Sequence, residues 1–136
     1  MTRLRVVVDT NVMLVSISPR SPYHWLFRAL LDEQYNLLVS TGIALEYEEV
    51  VSREMDDRWA RDLMGVLTNL PSVIWAEPRY HWRLVAEDAD DNKFVDCAVA
   101  GRGHAVITYD RHFDTLRTVE FPKVEVLTPE AFREML

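Results

Sequence analysis

A single cysteine, Cys97, stands among 136 residues, so the chain has no partner for an internal disulfide and no paired Cys/His spacing for a structural zinc site. Flanked by Val95, Ala98 and Val99, it reads as a small core residue. Glycine and proline, four and six, are unexceptional, and the ordinary composition without any repeat or low-complexity tract argues against collagen-like and fibrous chains. The longest uncharged stretches, Val12 to Pro19 and Tyr35 to Leu45, contain polar residues and fall short of the roughly 20 apolar residues of a membrane span. No transmembrane helix is expected. The start, MTRLRVVVDTNV, reaches Asp9 after only a few apolar residues, so the apolar region of a secretory signal is missing and the cytoplasm is the expected compartment. Positive charge is also short: 15 Lys plus Arg stand against 22 Asp plus Glu, a net charge of −7. That balance disfavours a passive nucleic-acid coat, because counterion release needs many cationic contacts. It leaves room for an enzyme whose acidic centre binds metal, with a separate basic surface for a polyanion.

Hydrophobic residues make up 49% and charged residues 27%, ordinary for one folded domain, taken as residues 1–136. Leu4 to Val8 is a β-branched run ending at Asp9, the pattern of a strand buried on both faces. Helical spacing is expected within Thr10 to Ser16 and from Tyr23 to Glu33, and strand character returns at Asn36 to Val39. Ile43, Tyr47, Val50 and Val51 recur at i, i+4, i+7 and i+8, an amphipathic helix from Gly42 to Arg53. Further helices are expected at Met55 to Leu70, Asp91 to Arg102 and Pro129 to Leu136, and strands at Val73 to Trp75, Ala105 to Thr108 and Val124 to Leu127. This alternation predicts a three-layer α/β/α sandwich with a mostly parallel central sheet. Ligands of such sheets bind beyond the carboxyl ends of the strands.

Two strands end in acids: Asp9 follows Val8, and Asp110 follows Ile107-Thr108-Tyr109. A third group, Asp88-Ala89-Asp90-Asp91-Asn92, opens the helix leading into the Asp110 strand. With Phe94 taken as inward, a step of about 100° per residue puts Asp91 at about 60°, on the sheet side, and Asp96 at about 200°, facing away. On the Gly42 to Arg53 helix, Glu46 and Glu48 flank the apolar stripe on opposite sides, and spacing alone does not choose between them. Like charges about 4 Å apart repel by roughly 4 kcal/mol at an effective dielectric of 20, a cost that a bound cation removes. An all-oxygen donor set points to Mg²⁺ or Mn²⁺, and Mg²⁺ favours a few carboxylates plus substrate phosphates, so phosphodiester cleavage is the chemistry expected. Two other acid motifs fail on spacing. An EF-hand beginning at Asp88 would need Gly at Lys93 and Glu at Val99, and an aspartyl-phosphate hydrolase would need a second acid where Asn11 stands.

The ordered pieces VVVDTNV at 6–12, ALEYEEVVSR at 44–53, DADDNKFVDCAVAG at 88–101, VITYDRHF at 106–113 and VEVLTPEAF at 124–132 resemble PIN-domain ribonucleases, and among them the toxins of bacterial toxin–antitoxin pairs. The resemblance implies a PIN-like fold and metal-dependent cleavage of RNA. It also implies Asp9, Glu46, Asp91 and Asp110 as metal-binding and catalytic acids, with Thr10, Asn11 and Thr108 as supporting hydrogen-bonders. An antitoxin protein and homodimerisation are likewise implied by the family alone, and the alternative is a catalytically weak RNA- or protein-binding module. His24, His81, His104 and His112 show no metal-like spacing and read as surface or capping residues, and Trp25, Trp59, Trp75 and Trp82 as core or interface. No base-stacking aromatic pair with the spacing of an RNA module is visible. Arg111, next to Asp110, is the expected local grip on a polyanion.

Overall fold

A computed structural model describes residues 3–85 and 89–136. Asp88, one of the acids weighed for the metal site, lies outside them. The chain runs β1 (Arg5–Val8), α1 (Thr10–Ile17), α2 (His24–Leu31), β2 (Asn36–Val39), α3 (Thr41–Glu54), α4 (Asp57–Asn69), β3 (Val73–Trp75), a 3₁₀ turn (Ala89–Asp91), α5 (Asn92–Ala100), β4 (Ala105–Ile107), a longer 3₁₀ stretch (Arg111–Thr118), β5 (Glu125–Leu127) and α6 (Pro129–Met135). The five strands form one sheet in the order β3-β2-β1-β4-β5, and every pairing is parallel. The expected mostly parallel sheet is therefore wholly parallel, between two layers of helix.

Val6, Val7 and Val8 of β1, Leu37, Leu38 and Val39 of β2, and Ala105, Val106 and Ile107 of β4 are all buried, which is why these segments read as unbroken apolar runs. Each such side chain taken from water contributes about 1.5–3 kcal/mol if it is Val, Leu or Ile. Between α5 and β4 the chain presses on β2. A Cβ on Gly101 or Gly103 would come within 2.8 or 2.9 Å of Leu38 methyl carbons, while the left-handed residue of this turn is Arg102, at φ 54°. These glycines are needed for close approach rather than for φ. Cys97 is buried as expected, its thiol pushed up to about 12, chiefly by burial. The tryptophans are less enclosed than their apolar neighbours suggest: Trp25 and Trp59 only border the core and Trp75 is 42% exposed.

Strand order positions the site. β1, β2 and β3 advance toward one edge of the sheet, and the chain then crosses back to lay β4 and β5 on the other side of β1. The reversal falls between β1 and β4, paired through Val6 to Ala105, Val7 to Val106 and Val8 to Ile107. A cleft opens beyond the carboxyl ends of strands at such a point. Asp9 leaves β1 there, and Thr108, Tyr109 and Asp110 leave β4.

Candidate metal centre and its flanking cleft

Asp9 occupies the N-cap position of α1 without making a side-chain cap bond, so capping does not explain it. Its carboxylate instead accepts from the Thr108 hydroxyl at 2.8 Å, and the same hydroxyl oxygen accepts from the Asp110 amide at 2.9 Å. One threonine thus ties the exits of β1 and β4 together. Burial, the largest influence, pushes the Asp9 pKa up from its ordinary 3.8, the Thr108 hydroxyl and the Thr10 amide oppose the rise, and the charges of Asp110 and Glu46 add to it. Asp9 therefore senses two other carboxylates, although they lie 37 and 101 residues along the chain, counted from 9 to 46 and from 9 to 110.

Glu46 reaches this edge because α3 is fixed there at two points. The Ser40 hydroxyl caps the helix by accepting from the Ile43 amide, and the buried Tyr47 hydroxyl donates to the Val8 carbonyl at the end of β1. The neighbouring Glu46 then accepts from the Thr10 hydroxyl and meets the Lys93 ammonium of α5 at 2.5 Å. Glu48, the competing acid, is exposed. Asp91 ends the 3₁₀ turn before α5 and makes no side-chain cap bond. His112 Nδ1 lies 3.6 Å from Asp91 and 3.3 Å from Asp110, and the Asp110 carboxylate also accepts from the His112 amide at 2.9 Å. Asp91, Asp110 and His112 each offer a ligand atom within 4.8 Å of the others, a spacing one metal ion can bridge.

The acids expected from the sequence, Asp9, Glu46, Asp91 and Asp110, thus meet at one edge, with Thr10 and Thr108 in direct hydrogen bonds to two of them. Asn11 is exposed and lines a cleft with Asp9 and Asp110 rather than bonding to either. Asp90 is exposed. Asp96 does point away from the site, yet it is buried, 3% exposed, and accepts from the Trp82 amide at 3.0 Å and from His81 at 3.3 Å. His112 corrects the reading of the histidines. Its nearness to Asp110 was visible in Asp110-Arg111-His112, but only the turn after β4 aims the ring at the acids. Two aromatics that no sequence spacing linked, Tyr23 and Tyr109, with ring centroids 5.9 Å apart, also line the cleft beside Asp9 and Asp110. No local spacing could reveal a pair 86 residues apart.

A family model described as PIN domain matches residues 5–112, most of the chain and all four acids. The chain belongs to the PIN-domain family. Among solved structures this PIN domain is similar to VapBC2 from Rickettsia felis bound to a DNA fragment from its promoter, with TM-score 0.62 and 14% identity, covering 92% of this chain and 98% of that one. It is also similar to Mycobacterium tuberculosis VapC20, a sarcin-ricin loop cleaving toxin, with TM-score 0.62 and 13% identity over 85% and 97% of the two chains. A third is DNA-bound VapBC from Salmonella typhimurium, with TM-score 0.59 and 18% identity over 93% and 98%. At these identities the likeness is one of fold. No curated protein matches the sequence significantly. No helix among the described residues is long and apolar enough to cross a membrane.

Proposed function

We propose that this PIN domain is a divalent-metal-dependent endoribonuclease and the toxin of a toxin–antitoxin pair, working in the cytoplasm where its RNA would be met. The observation that carries the reading is the crowding of Asp9, Glu46, Asp91 and Asp110, from four separate segments, at the point where strand order reverses. Such a donor set, oxygen-rich with one imidazole alongside, fits Mg²⁺ or Mn²⁺. Asp9, Asp91 and Asp110 would hold the ion, and Glu46 would complete the site. When bound, it supplies Lewis acidity toward a phosphate and toward water. The chain's own residues do the rest. Thr108 fixes the Asp9 carboxylate in orientation, Thr10 does the same for Glu46, and His112 bridges Asp91 and Asp110. Lys93 already neutralises part of Glu46 and brings one positive charge to the rim, where a phosphate of the substrate would pass.

An antitoxin partner is proposed from the likeness to VapBC assemblies, together with a homodimer, testable by light scattering on the purified chain. An inserted Arg or Lys of the antitoxin would find the same carboxylates that attract the ion. The test of the activity is cleavage of end-labelled RNA and DNA in Mg²⁺, in Mn²⁺ and in EDTA, with Asp110→Asn as control. RNA cleavage that needs the metal and disappears in the variant is expected. Cleavage indifferent to chelation refutes the metal mechanism, and no cleavage by partner-free protein supports the binding-module alternative.

A further inference from the structure

The cleft beside the acids is lined by Asp9, Asn11, Val12, Val15, Tyr23, Tyr109 and Asp110 and has a volume of about 380 Å³. It is continuous with the acidic centre, because Asp9 and Asp110 belong to both. Its other walls are chemically different. Val12 and Val15, one turn apart on α1, give an apolar surface, and Val15 is 41% exposed. Tyr109 is 49% exposed, so half of a large ring faces solvent immediately beside Asp110. That ring is held rather than loose: its hydroxyl donates to the Glu130 carboxylate of α6 and lies 2.9 Å from the Tyr23 hydroxyl, while the two rings pack edge to face at 71°. Holding an exposed aromatic ring by both its edge and its hydroxyl makes a rigid wall, which costs little ordering when a flat ligand packs on it.

We propose that this cleft is a nucleobase subsite, in which the unpaired base next to the scissile phosphate packs on Tyr109 against Val12 and Val15, with the Asn11 amide at its polar edge. The inference rests on the ribonuclease reading and names what that reading leaves open, the source of sequence preference. Phosphate and metal carry no base information, whereas an aromatic wall recognises any base face and an amide donor–acceptor pair can discriminate among base edges. A base is favoured over a protein segment as occupant because the cleft shares two of its lining residues with the acids that would act on the adjoining phosphate.

The experiment uses one RNA oligonucleotide that wild-type protein cuts at a mapped position, together with variants abasic at each nucleotide flanking the cut. In wild type, one flanking abasic position should lower kcat/KM by roughly tenfold, the loss expected for one stacked base. In Tyr109→Ala that penalty should shrink to near onefold, and in Tyr109→Phe, which keeps the ring, it should remain. Equal abasic penalties in wild type and Tyr109→Ala overturn the subsite, leave the cleft to a protein partner, and leave the ribonuclease assignment intact. Absence of any metal-dependent cleavage by wild type overturns the ribonuclease reading and the subsite with it.

Discussion

Asp9 is the residue whose surroundings say most about its purpose. A buried carboxylate with its pKa pushed up by burial and by Asp110 and Glu46 weakens the folded state at neutral pH. Because its folded pKa lies above the unfolded value, its favourable contribution is complete below about pH 3.8 and is lost as pH rises through the folded value. In EDTA, Asp9→Asn should therefore match wild type in thermal unfolding at acid pH and exceed it at pH 7. Added Mn²⁺ should reverse that order, since an ion at a hundred times its Kd stabilises wild type by about 2.7 kcal/mol and the variant by much less. Cleavage by the variant should fall on the order of a hundredfold or more. A large loss of apo stability would instead mean that Asp9 is a structural residue. His112 makes a second case. Partners that orient ligating carboxylates typically contribute about 10–100-fold to metal affinity. His112→Ala should raise the Mn²⁺ concentration for half-maximal cleavage by about that factor, while saturating Mn²⁺ restores most of the rate. A variant with an unchanged Mn²⁺ requirement would remove His112 from the site.

At the scale of elements, α5 does more than deliver Asp91. Asn92 clamps Val85 from both sides, accepting from its amide at 2.8 Å and donating to its carbonyl at 3.1 Å, and Asp96 accepts from the Trp82 amide. Two side chains one helical turn apart thus supply the backbone partners that residues 81–85, having no strand neighbour, lack. Asp96→Ala would orphan the Trp82 amide and should lower stability by about 1–3 kcal/mol, whereas Asp96→Asn keeps an acceptor and should be mild. Both should cleave RNA normally once folded; loss of cleavage by folded Asp96→Asn would make this acid part of the centre. The helical wheel gave the direction of Asp96 and not its environment, because a wheel reports where a side chain points and not which loop lies over it. Strands were legible for the opposite reason: runs such as Val6 to Val8 and Leu37 to Val39 are apolar on both faces, so no neighbour needed to be known. The 3₁₀ stretch Arg111–Thr118 escaped notice because it buries only Phe113 and Leu116, three residues apart, in an otherwise polar segment.

The whole molecule decides what the sequence could not, namely which ends of which strands adjoin. Asp9 and Asp110 were legible as strand-exit acids, but only the order β3-β2-β1-β4-β5 makes their strands neighbours, and the Tyr23–Tyr109 wall depends on the same adjacency. Net charge belongs to this scale too. On the ribonuclease reading, a chain at −7 repels RNA at a distance, so its hold would come from a few local cations, among the described residues Lys93 beside Glu46 and the exposed Arg111, next in sequence to Asp110. Each phosphate neutralised on a single strand contributes about −0.7 to the slope of log K against log salt. Two or three contacts give a slope of about −1.4 to −2.1, shallow for a nucleic-acid binder. Binding of a fluorescent single-stranded RNA to cleavage-deficient Asp110→Asn, titrated in KCl at fixed Mg²⁺, should return a slope in that range. Adding Arg111→Ala should make the slope shallower by about 0.7 while weakening binding to all sequences alike, as loss of a phosphate contact does. A slope several units steeper, or one untouched by Arg111→Ala, would mean that RNA is held by an extended basic surface away from the carboxylates, contrary to the local grip argued from the net charge.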